Sequence, residues 1–145
     1  MHQPQVPTPE RLRFRVRLKT RWSDEDNQHV LNNAVYLTLC EEARHAYFSK
    51  LGLLSSNQFA FLLAQANVRF MAPGRGGEEV EVEMATLHLG RTSFSQAYRV
   101  RAAAGARTWC ECEALLVCID PHTGKSTPMA ADFRARIAAF EGLGG

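Results

Sequence analysis

The side chains best suited to chemistry in this 145-residue chain are concentrated in one polar stretch, residues 24–33. It carries three carboxylates and an imidazole, from Asp24, Glu25, Asp26 and His29. The stretch directly precedes a long helical pattern, so its side chains should meet a helix N-terminus, where unpaired N–H groups and the helix dipole favour negative charge. A carboxylate there is stabilised as an anion, and a substrate carbonyl oxygen can be polarised as it gains charge.

The helical pattern covers residues 32–51. Its apolar stripe consists of Tyr36, Leu39, Cys40, Ala43, Tyr47 and Leu51. Asn32 or Asn33 can cap the start, because a short amide side chain can accept a hydrogen bond from an unpaired backbone N–H. Gly52 is placed to end the helix. We therefore predict one long amphipathic helix.

Period-two alternation predicts five strands, at residues 11–22, 59–71, 78–89, 94–100 and 108–119. In the first strand the apolar residues Leu12, Phe14, Val16, Leu18 and Trp22 are expected to share one face. In the second, the shared face is Ala60, Leu62, Ala64, Ala66, Val68 and Phe70. Short turns containing glycine favour antiparallel pairing. With a short second helix from Thr127-Pro128 to Phe140, the predicted fold class is α+β.

Three segments, WSDED at 22–26, NNAVYL at 32–37 and EEAR at 41–44, resemble the 4-hydroxybenzoyl-CoA thioesterase-like hotdog family. The family pattern is roughly DxDxxGHVNNxxYLxxxExAR. Segments at 67–70, 72–73 and 90–94 also fit, so the resemblance covers nearly the whole chain from Arg11 onward. It implies a hotdog fold, in which a curved antiparallel sheet of about five strands surrounds one long central helix. It also implies hydrolysis of an acyl-CoA thioester.

The resemblance assigns roles to individual residues. Asp26 stands ten residues before Tyr36, as the catalytic aspartate of the family does, and would act as nucleophile or general base. The backbone N–H at Asn33 would polarise the thioester carbonyl. Arg91 would meet the coenzyme A phosphates. Gln65 and Asn67 could line the acyl pocket or pair across the sheet, and Tyr36 could line the pocket or belong to the core.

Other residues of this region have alternative roles. Asp24 is expected to fix the loop through an Asx-turn. His29 stands where the family pattern has glycine, so either the turn is altered or His29 adopts a positive φ. His29 could serve as a proton shuttle, although we favour a structural role in the turn. Glu41 is the alternative nucleophile, or else a helix partner of His45 or an interface acid.

Composition bears on the domain organisation and the cellular surroundings. Residues 1–10 hold three prolines and are expected to be a disordered N-terminal lead-in, followed by a single hotdog domain over 11–145. No apolar run is long enough for a transmembrane helix, and the N-terminus does not resemble a secretory signal. The four cysteines do not have zinc-site spacing and are expected to be reduced core residues. We predict a cytoplasmic protein that needs no metal or other cofactor and has no membrane partner.

The arginines on the first strand allow two interpretations. As a nucleic-acid surface they would bind phosphates, but no aromatic residue is interleaved among them to stack bases. We instead predict that Arg13, Arg15 and Arg17 pair with Glu79, Glu81 and Glu83 on a neighbouring third strand, and that nucleic acid is not a partner. The resemblance implies a homodimer, paired again into a homotetramer, with active sites at the dimer interface. The alternative function is a non-enzymatic module that binds acyl-CoA.

Overall fold

A computed structural model describes residues 2–105 and 107–144 of the chain. The elements follow the predicted order of strand, helix, four strands and helix. They are β1 (Phe14–Lys19), α1 (Asn33–Lys50), β2 (Phe61–Phe70), β3 (Glu79–Leu89), β4 (Ser93–Ala102), β5 (Thr108–Cys118) and α2 (Ala131–Glu141), with a 3-10 turn at Trp22–Asp24 between β1 and α1. The second helix starts later than predicted, because its N-cap is Ala130 and not Thr127.

All five strands form one antiparallel sheet in the order β1-β3-β4-β5-β2. The sheet curves around α1, whose buried stripe includes Tyr36, Leu39, Cys40, Ala43 and Tyr47, as expected. These side chains meet the inward residues of the central strands, among them Val82, Met84, Tyr98, Cys110 and Cys112. The predicted α+β hotdog architecture is therefore confirmed.

The opposite face of the sheet, which we call the outer face, carries charged rows. One row alternates in sign across all five strands: Arg15, Glu83, Arg99, Glu111 and Arg69. Arg15 lies 3.2 Å from Glu83, and Arg17 lies 3.6 Å from Glu79 and 3.7 Å from Glu81. The predicted pairing of β1 with β3 is confirmed for these two arginines. It is wrong for Arg13, whose guanidinium donates to the Phe140 carbonyl at 3.4 Å.

Two strands differ from their predicted patterns. β1 ends at Lys19, so the alternation does not reach Trp22, which is 82% exposed. Leu12 lies before β1 and is buried against Ala85 and Ala97 on the outer face, away from the core that Phe14 joins. In β2 an irregularity between Leu63 and Gln65 shifts the register, and Leu62 is 58% exposed. The second strand therefore does not present one continuous buried face.

The N-terminal segment, residues 2–10, forms no helix or strand and lies along the outer face. The Asn67 amide donates to the His2 carbonyl, Arg69 donates to the Gln3 side chain, and Arg99 donates to the Pro7 carbonyl. The backbone N–H of Gln5 donates to Glu113. These contacts cover part of β2, β4 and β5, and a domain boundary at residue 11 stays a prediction.

Of the two helices in the described ranges, neither combines the length and the hydropathy needed to cross a membrane.

Candidate active site

The polar stretch before α1 folds into a tight hairpin loop that begins at Asp26. Glu25 and Leu31 form an antiparallel bridge. The Asp26 N–H donates to the Val30 carbonyl at 2.8 Å, and the His29 N–H donates to the Asp26 carbonyl at 3.0 Å. This is the pattern of a three-residue loop whose last residue has a positive φ, usually a glycine. His29 has φ 61°, so the second of the two expected outcomes holds: the turn is retained and His29 adopts the left-handed conformation.

The Asp26 carboxylate is oriented by its own turn. Its Oδ1 accepts the Gln28 N–H at 2.7 Å, an Asx-turn contact that fixes the side-chain direction. The side chain is half-buried, and no other protein group in residues 2–105 and 107–144 hydrogen-bonds to the carboxylate. One carboxylate oxygen is therefore positioned by backbone, and the other is available to a substrate or water.

Asp24 fixes the preceding part of the loop, but through a contact with an earlier residue and not through the predicted Asx-turn. Its carboxylate accepts the Arg21 N–H at 2.8 Å and pairs with the Arg21 guanidinium at 2.8 Å. The hydrogen bonds from Arg21 hold the pKa of Asp24 below its usual value. The Asp24 carbonyl also accepts the Asn32 N–H at 2.9 Å, which connects the turn to the start of α1.

The start of α1 leaves one backbone donor available. Asn32 is the N-cap, and its Oδ1 accepts the Ala34 N–H at 3.0 Å. Asn33 is the first helical residue, and within the described part of the chain its N–H has no acceptor. This N–H also lies at the positive end of the dipole of an 18-residue helix. The site therefore has the backbone donor that the resemblance placed at Asn33.

A cavity of about 250 Å³ opens beside this helix start. It is lined by Val30, Leu31, Asn33, Tyr36, Phe70, Met71, Ala72 and Pro73. The side chains that line it are apolar except for those of Asn33 and Tyr36, and Tyr36 packs edge-to-face on Phe70 with ring centroids 5.4 Å apart. Tyr36 is 3% exposed, and burial raises the pKa of its phenol. Both alternatives for Tyr36 apply, since it lines the cavity and belongs to the core.

The turn between β2 and β3 supports this loop, a role that the sequence did not reveal. Three consecutive residues each bind it: Gly74 O accepts the Leu31 N–H at 3.0 Å, Arg75 Nη1 donates to His29 O at 3.0 Å, and the Gly76 N–H donates to Glu25 Oε2 at 2.9 Å. The glycine-rich run predicted a turn here. The glycines are the feature of the sequence that could have indicated a second chain segment nearby, because glycine lets another backbone approach closely.

Gln65 and Asn67 lie elsewhere in the protomer. They pair with Leu115 and Glu113 of β5 on the outer face and line a shallow cavity of about 200 Å³. Tyr36 and Phe70 line the other cavity on the helix side of the sheet. One protomer therefore does not bring Gln65 and Asn67 together with the helix start.

The remaining site candidates also lie outside the cavity lining. Arg91 is exposed in the turn between β3 and β4, where its carbonyl accepts the Met129 N–H at 2.8 Å. Glu41 is exposed on α1, eight residues after Asn33, which corresponds to roughly 12 Å along the helix axis. His45 hydrogen-bonds to Asn57 at 2.9 Å, and the expected Glu41–His45 contact is absent from the described residues.

A buried polar network, missed by the sequence interpretation, connects α1 to β3, β4 and α2. Arg44 donates to the Tyr98 hydroxyl at 2.7 Å, and the chain of contacts continues through Gln96 and Thr86. Tyr47 contacts Thr86 at 2.9 Å and donates to Glu141 at 2.7 Å. Because every side chain of this network has a hydrogen-bond partner, the network stabilises the packing of the helices on the sheet.

The cysteine thiols are not accessible, although the hydrogen bond with Cys40 lowers the pKa of Cys112. Cys40, Cys110, Cys112 and Cys118 are buried and unbridged, and burial raises the pKa of Cys110 to about 12. Across residues 2–105 and 107–144, no cluster of three or more His, Cys, Asp or Glu side chains could hold a metal ion.

Comparison with known proteins places this geometry in a family. Residues 20–137 match the family described as the thioesterase-like superfamily. The chain is 28% identical over 113 residues to the acyl-CoA thioester hydrolase YbgC of Escherichia coli, covering 74% of this chain and 83% of that protein. It is also 30% identical over 87 residues to the chloroplastic acyl-acyl carrier protein thioesterase ATL2 of Arabidopsis thaliana, covering 56% of this chain but only 46% of that protein.

A solved structure supports the same placement. A thioesterase of Thermus thermophilus, crystallised with coenzyme A and zinc, superposes with a TM-score of 0.79 at 32% identity over 90% of this chain and 95% of that one. The sequence-based identification is therefore confirmed: the chain belongs to the thioesterase-like superfamily.

Proposed function

We propose that this protein hydrolyses an acyl-CoA thioester to the free acid and coenzyme A, with Asp26 as the catalytic carboxylate. The observation that carries the proposal is the placement of two groups at the two ends of one short loop, with Asn33 in the cavity lining and Asp26 outside it. The Asp26 carboxylate is held by the Gln28 N–H, and Asn33, whose N–H has no acceptor among the described residues, lines the cavity at the helix start. A nucleophile or base and an oxyanion donor are the two parts that thioester hydrolysis needs.

The chemistry can proceed by either of two routes. In the first, an Asp26 oxygen forms a bond to the thioester carbon, the C–S bond breaks, and coenzyme A leaves as the thiolate. Water then hydrolyses the resulting mixed anhydride. In the second, Asp26 removes a proton from water as the water oxygen adds to the carbonyl carbon. In both, the Asn33 N–H and the helix dipole stabilise the developing oxyanion.

Coenzyme A as the leaving group is supported by the relatives, because the Escherichia coli protein is named for acyl-CoA thioesters and the Thermus structure contains coenzyme A. Arg91 remains our candidate for a phosphate contact, and Tyr36, Phe70 and Met71 would contact the acyl group. The proposed reaction requires no metal or redox cofactor. The prediction of a cytoplasmic location also stands as part of this proposal.

We further propose that the working unit is a homodimer. β2 is an edge strand that pairs only with β5, and an unpaired edge is a template for another strand. Leu62, Leu63, Phe70 and Met71 are exposed along or beside it, so a partner would cover apolar surface as well as backbone. In a dimer, Gln65 and Asn67 of one protomer could approach the helix start of the other. A tetramer formed from two dimers remains a prediction.

The catalytic proposal is tested with a panel of acyl-CoA substrates and a thiol-release assay on Asp26→Asn and Asp26→Ala. We expect activity to fall by at least about 100-fold, the scale of a lost acid–base group. Asp120→Asn is the matched control, because the Asp120 carboxylate likewise accepts a backbone N–H, that of His122 at 2.7 Å, and Asp120 lies near the Phe61 end of β2, whereas the cavity lies at the Phe70 end. A loss of only a few-fold at Asp26, together with a large loss in Glu41→Gln, would transfer the role to Glu41.

Two further outcomes separate the remaining alternatives. Tight binding of acyl-CoA with no turnover of any substrate would identify a binding module instead of an enzyme. Sedimentation at micromolar concentration should show at least a dimer, and Leu62→Glu should weaken it because the charge would be buried at the new edge contact. An active monomer would contradict the dimer proposal.

A further inference from the structure

His29 holds an unusual position for a residue with a side chain. It is the last residue of the loop that begins at Asp26, and its φ of 61° lies in the left-handed region. Glycine adopts that conformation at no steric cost, whereas other residues are strained there unless the surroundings hold them. Histidine tolerates it better than most residues but still needs support. Something outside the loop should therefore stabilise the turn.

The support comes from three consecutive residues of the β2–β3 turn. Gly74 and Gly76 bind Leu31 and Glu25, which lie on the two sides of the loop. Arg75 alone reaches the loop itself, because its Nη1 donates to the His29 carbonyl at 3.0 Å. The Arg75 backbone is in turn fixed by Thr20, whose hydroxyl donates to the Arg75 carbonyl at 2.7 Å. The guanidinium is therefore presented from an anchored segment.

The His29 peptide is directly coupled to Asp26. The His29 N–H donates to the Asp26 carbonyl, and the Gln28 N–H, one residue earlier, donates to the Asp26 carboxylate at 2.7 Å. If His29 relaxed out of the left-handed conformation, the peptides that carry both donors would rotate. The carboxylate would then lose the contact that sets its direction, and a small misplacement of a reacting group reduces rate strongly.

We propose that Arg75 is a positioning residue for Asp26, which keeps the strained His29 turn in place by holding the His29 carbonyl. This inference rests on the proposed function, because it takes Asp26 as the catalytic carboxylate. It also explains how this chain can keep the turn without the glycine of the family pattern. Arg75 touches no reacting atom, so its effect is expected on kcat, with little effect on KM.

The test is a double-mutant cycle between Arg75 and His29, with kcat and KM measured separately. Arg75→Gln should lower kcat by about fivefold with KM changed by less than about twofold, a loss that fits one exposed hydrogen bond from a charged donor. In a His29→Gly background, the same Arg75→Gln change should cost less than about twofold in kcat, because glycine holds the turn unaided.

Arg13→Gln is the matched control, since the Arg13 guanidinium also donates to a backbone carbonyl, that of Phe140 at 3.4 Å, at an exposed position outside the site. Its kcat should stay within about twofold of the parent enzyme. Equal losses from Arg75→Gln in the His29 and His29→Gly backgrounds would overturn the inference, as would a loss confined to KM. If Asp26→Asn is inactive while Arg75→Gln matches Arg13→Gln, the positioning role alone fails. If the Asp26→Asn variant remains active, both the catalytic role of Asp26 and the positioning role of Arg75 fail.

Discussion

The Tyr36 hydroxyl accepts a hydrogen bond from the Gly74 N–H at 3.1 Å, and this buried contact joins α1 to the turn that supports the Asp26 loop. Gly74 itself has no room for a side chain, because an added Cβ would lie 2.6 Å from the Trp109 ring and 2.9 Å from Leu31. Helix, turn and loop are thus fixed to one another at a single point next to the cavity.

Tyr36→Phe should destabilise the protein although it keeps the ring. The Gly74 N–H would stay buried without an acceptor, which costs about 1–2 kcal/mol. Urea unfolding at pH 7 measures the loss as a lower midpoint at unchanged slope. An unchanged midpoint would show that water or another acceptor replaces the phenol.

The helix and its stripe could be predicted from sequence, because apolar spacing and the Asn32 cap act locally. The contacts of Gly74, Arg75 and Gly76 with residues 25–31 could not, because they join segments more than forty residues apart. Glu25 shows the same limit. Its carboxylate looked like one more polar group in the loop, whereas it accepts the Gly76 N–H and holds the loop to the turn.

The charged rows of the outer face should not contribute equally to stability. The Glu83 side chain is 3% exposed and contacts Arg15 at 3.2 Å and Arg101 at 2.9 Å, whereas Glu79 is 63% exposed and contacts Arg17 at 3.6 Å. The Glu83 carboxylate is buried because it lies between arginines of two neighbouring strands, Arg15 of β1 and Arg101 of β4. The predicted pairing did not include Arg101 of β4, which also contacts Glu83.

Glu83→Ala should therefore lower the free energy of unfolding by about 2 kcal/mol, since the largely buried Arg101 loses one of its two carboxylate partners and keeps only Glu81. Glu79→Ala, the matched control on the same strand and face, should cost less than about 1 kcal/mol. Chemical denaturation of both variants at low and high salt makes the comparison. Equal losses in the two variants would refute the distinction between buried and exposed pairs.

The misplacement of Trp22 has a local physical cause. Alternation predicted a strand up to that residue, but Thr20 and Asp24 turn the chain first. The Thr20 hydroxyl donates to the Arg75 carbonyl, and Asp24 accepts the Arg21 N–H, so the backbone leaves the sheet after Lys19. Side-chain contacts that end a strand are not visible in the period of its apolar residues.

Gly76→Ala should damage both fold and activity, because Gly76 lies directly against the start of the 3-10 turn that follows β1. A Cβ added there would lie 2.5 Å from the Arg21 carbonyl oxygen and 2.6 Å from the Trp22 Cα, and both are backbone atoms that cannot rotate away. We expect a loss of at least about 2 kcal/mol, within the range for steric overpacking. Gly77→Ala is not a suitable control because of its positive φ of 79°.

Gly144→Ala provides the comparison for Gly76→Ala, since nothing lies within 4 Å of an added Cβ at that position. Thermal unfolding of the two variants, followed by circular dichroism, would test the expectation. A Gly76→Ala protein as stable as Gly144→Ala would show that the backbone of Arg21 and Trp22 can move away from the added Cβ.

The last prediction concerns pH and the Asp24 carboxylate. Hydrogen bonds from Arg21 lower the pKa of Asp24 in the folded protein, whereas an aspartate in the unfolded protein has a pKa of about 3.9. A carboxylate with a lowered folded pKa contributes stability that is fully present above the unfolded value and disappears as pH falls through the folded value. Asp24→Asn should therefore lower Tm by a constant amount between about pH 5 and pH 8, and the difference from the parent protein should shrink below about pH 4. Calorimetry across that range measures both proteins, and a difference that stayed constant down to about pH 3 would mean that the Asp24 charge does not stabilise the loop.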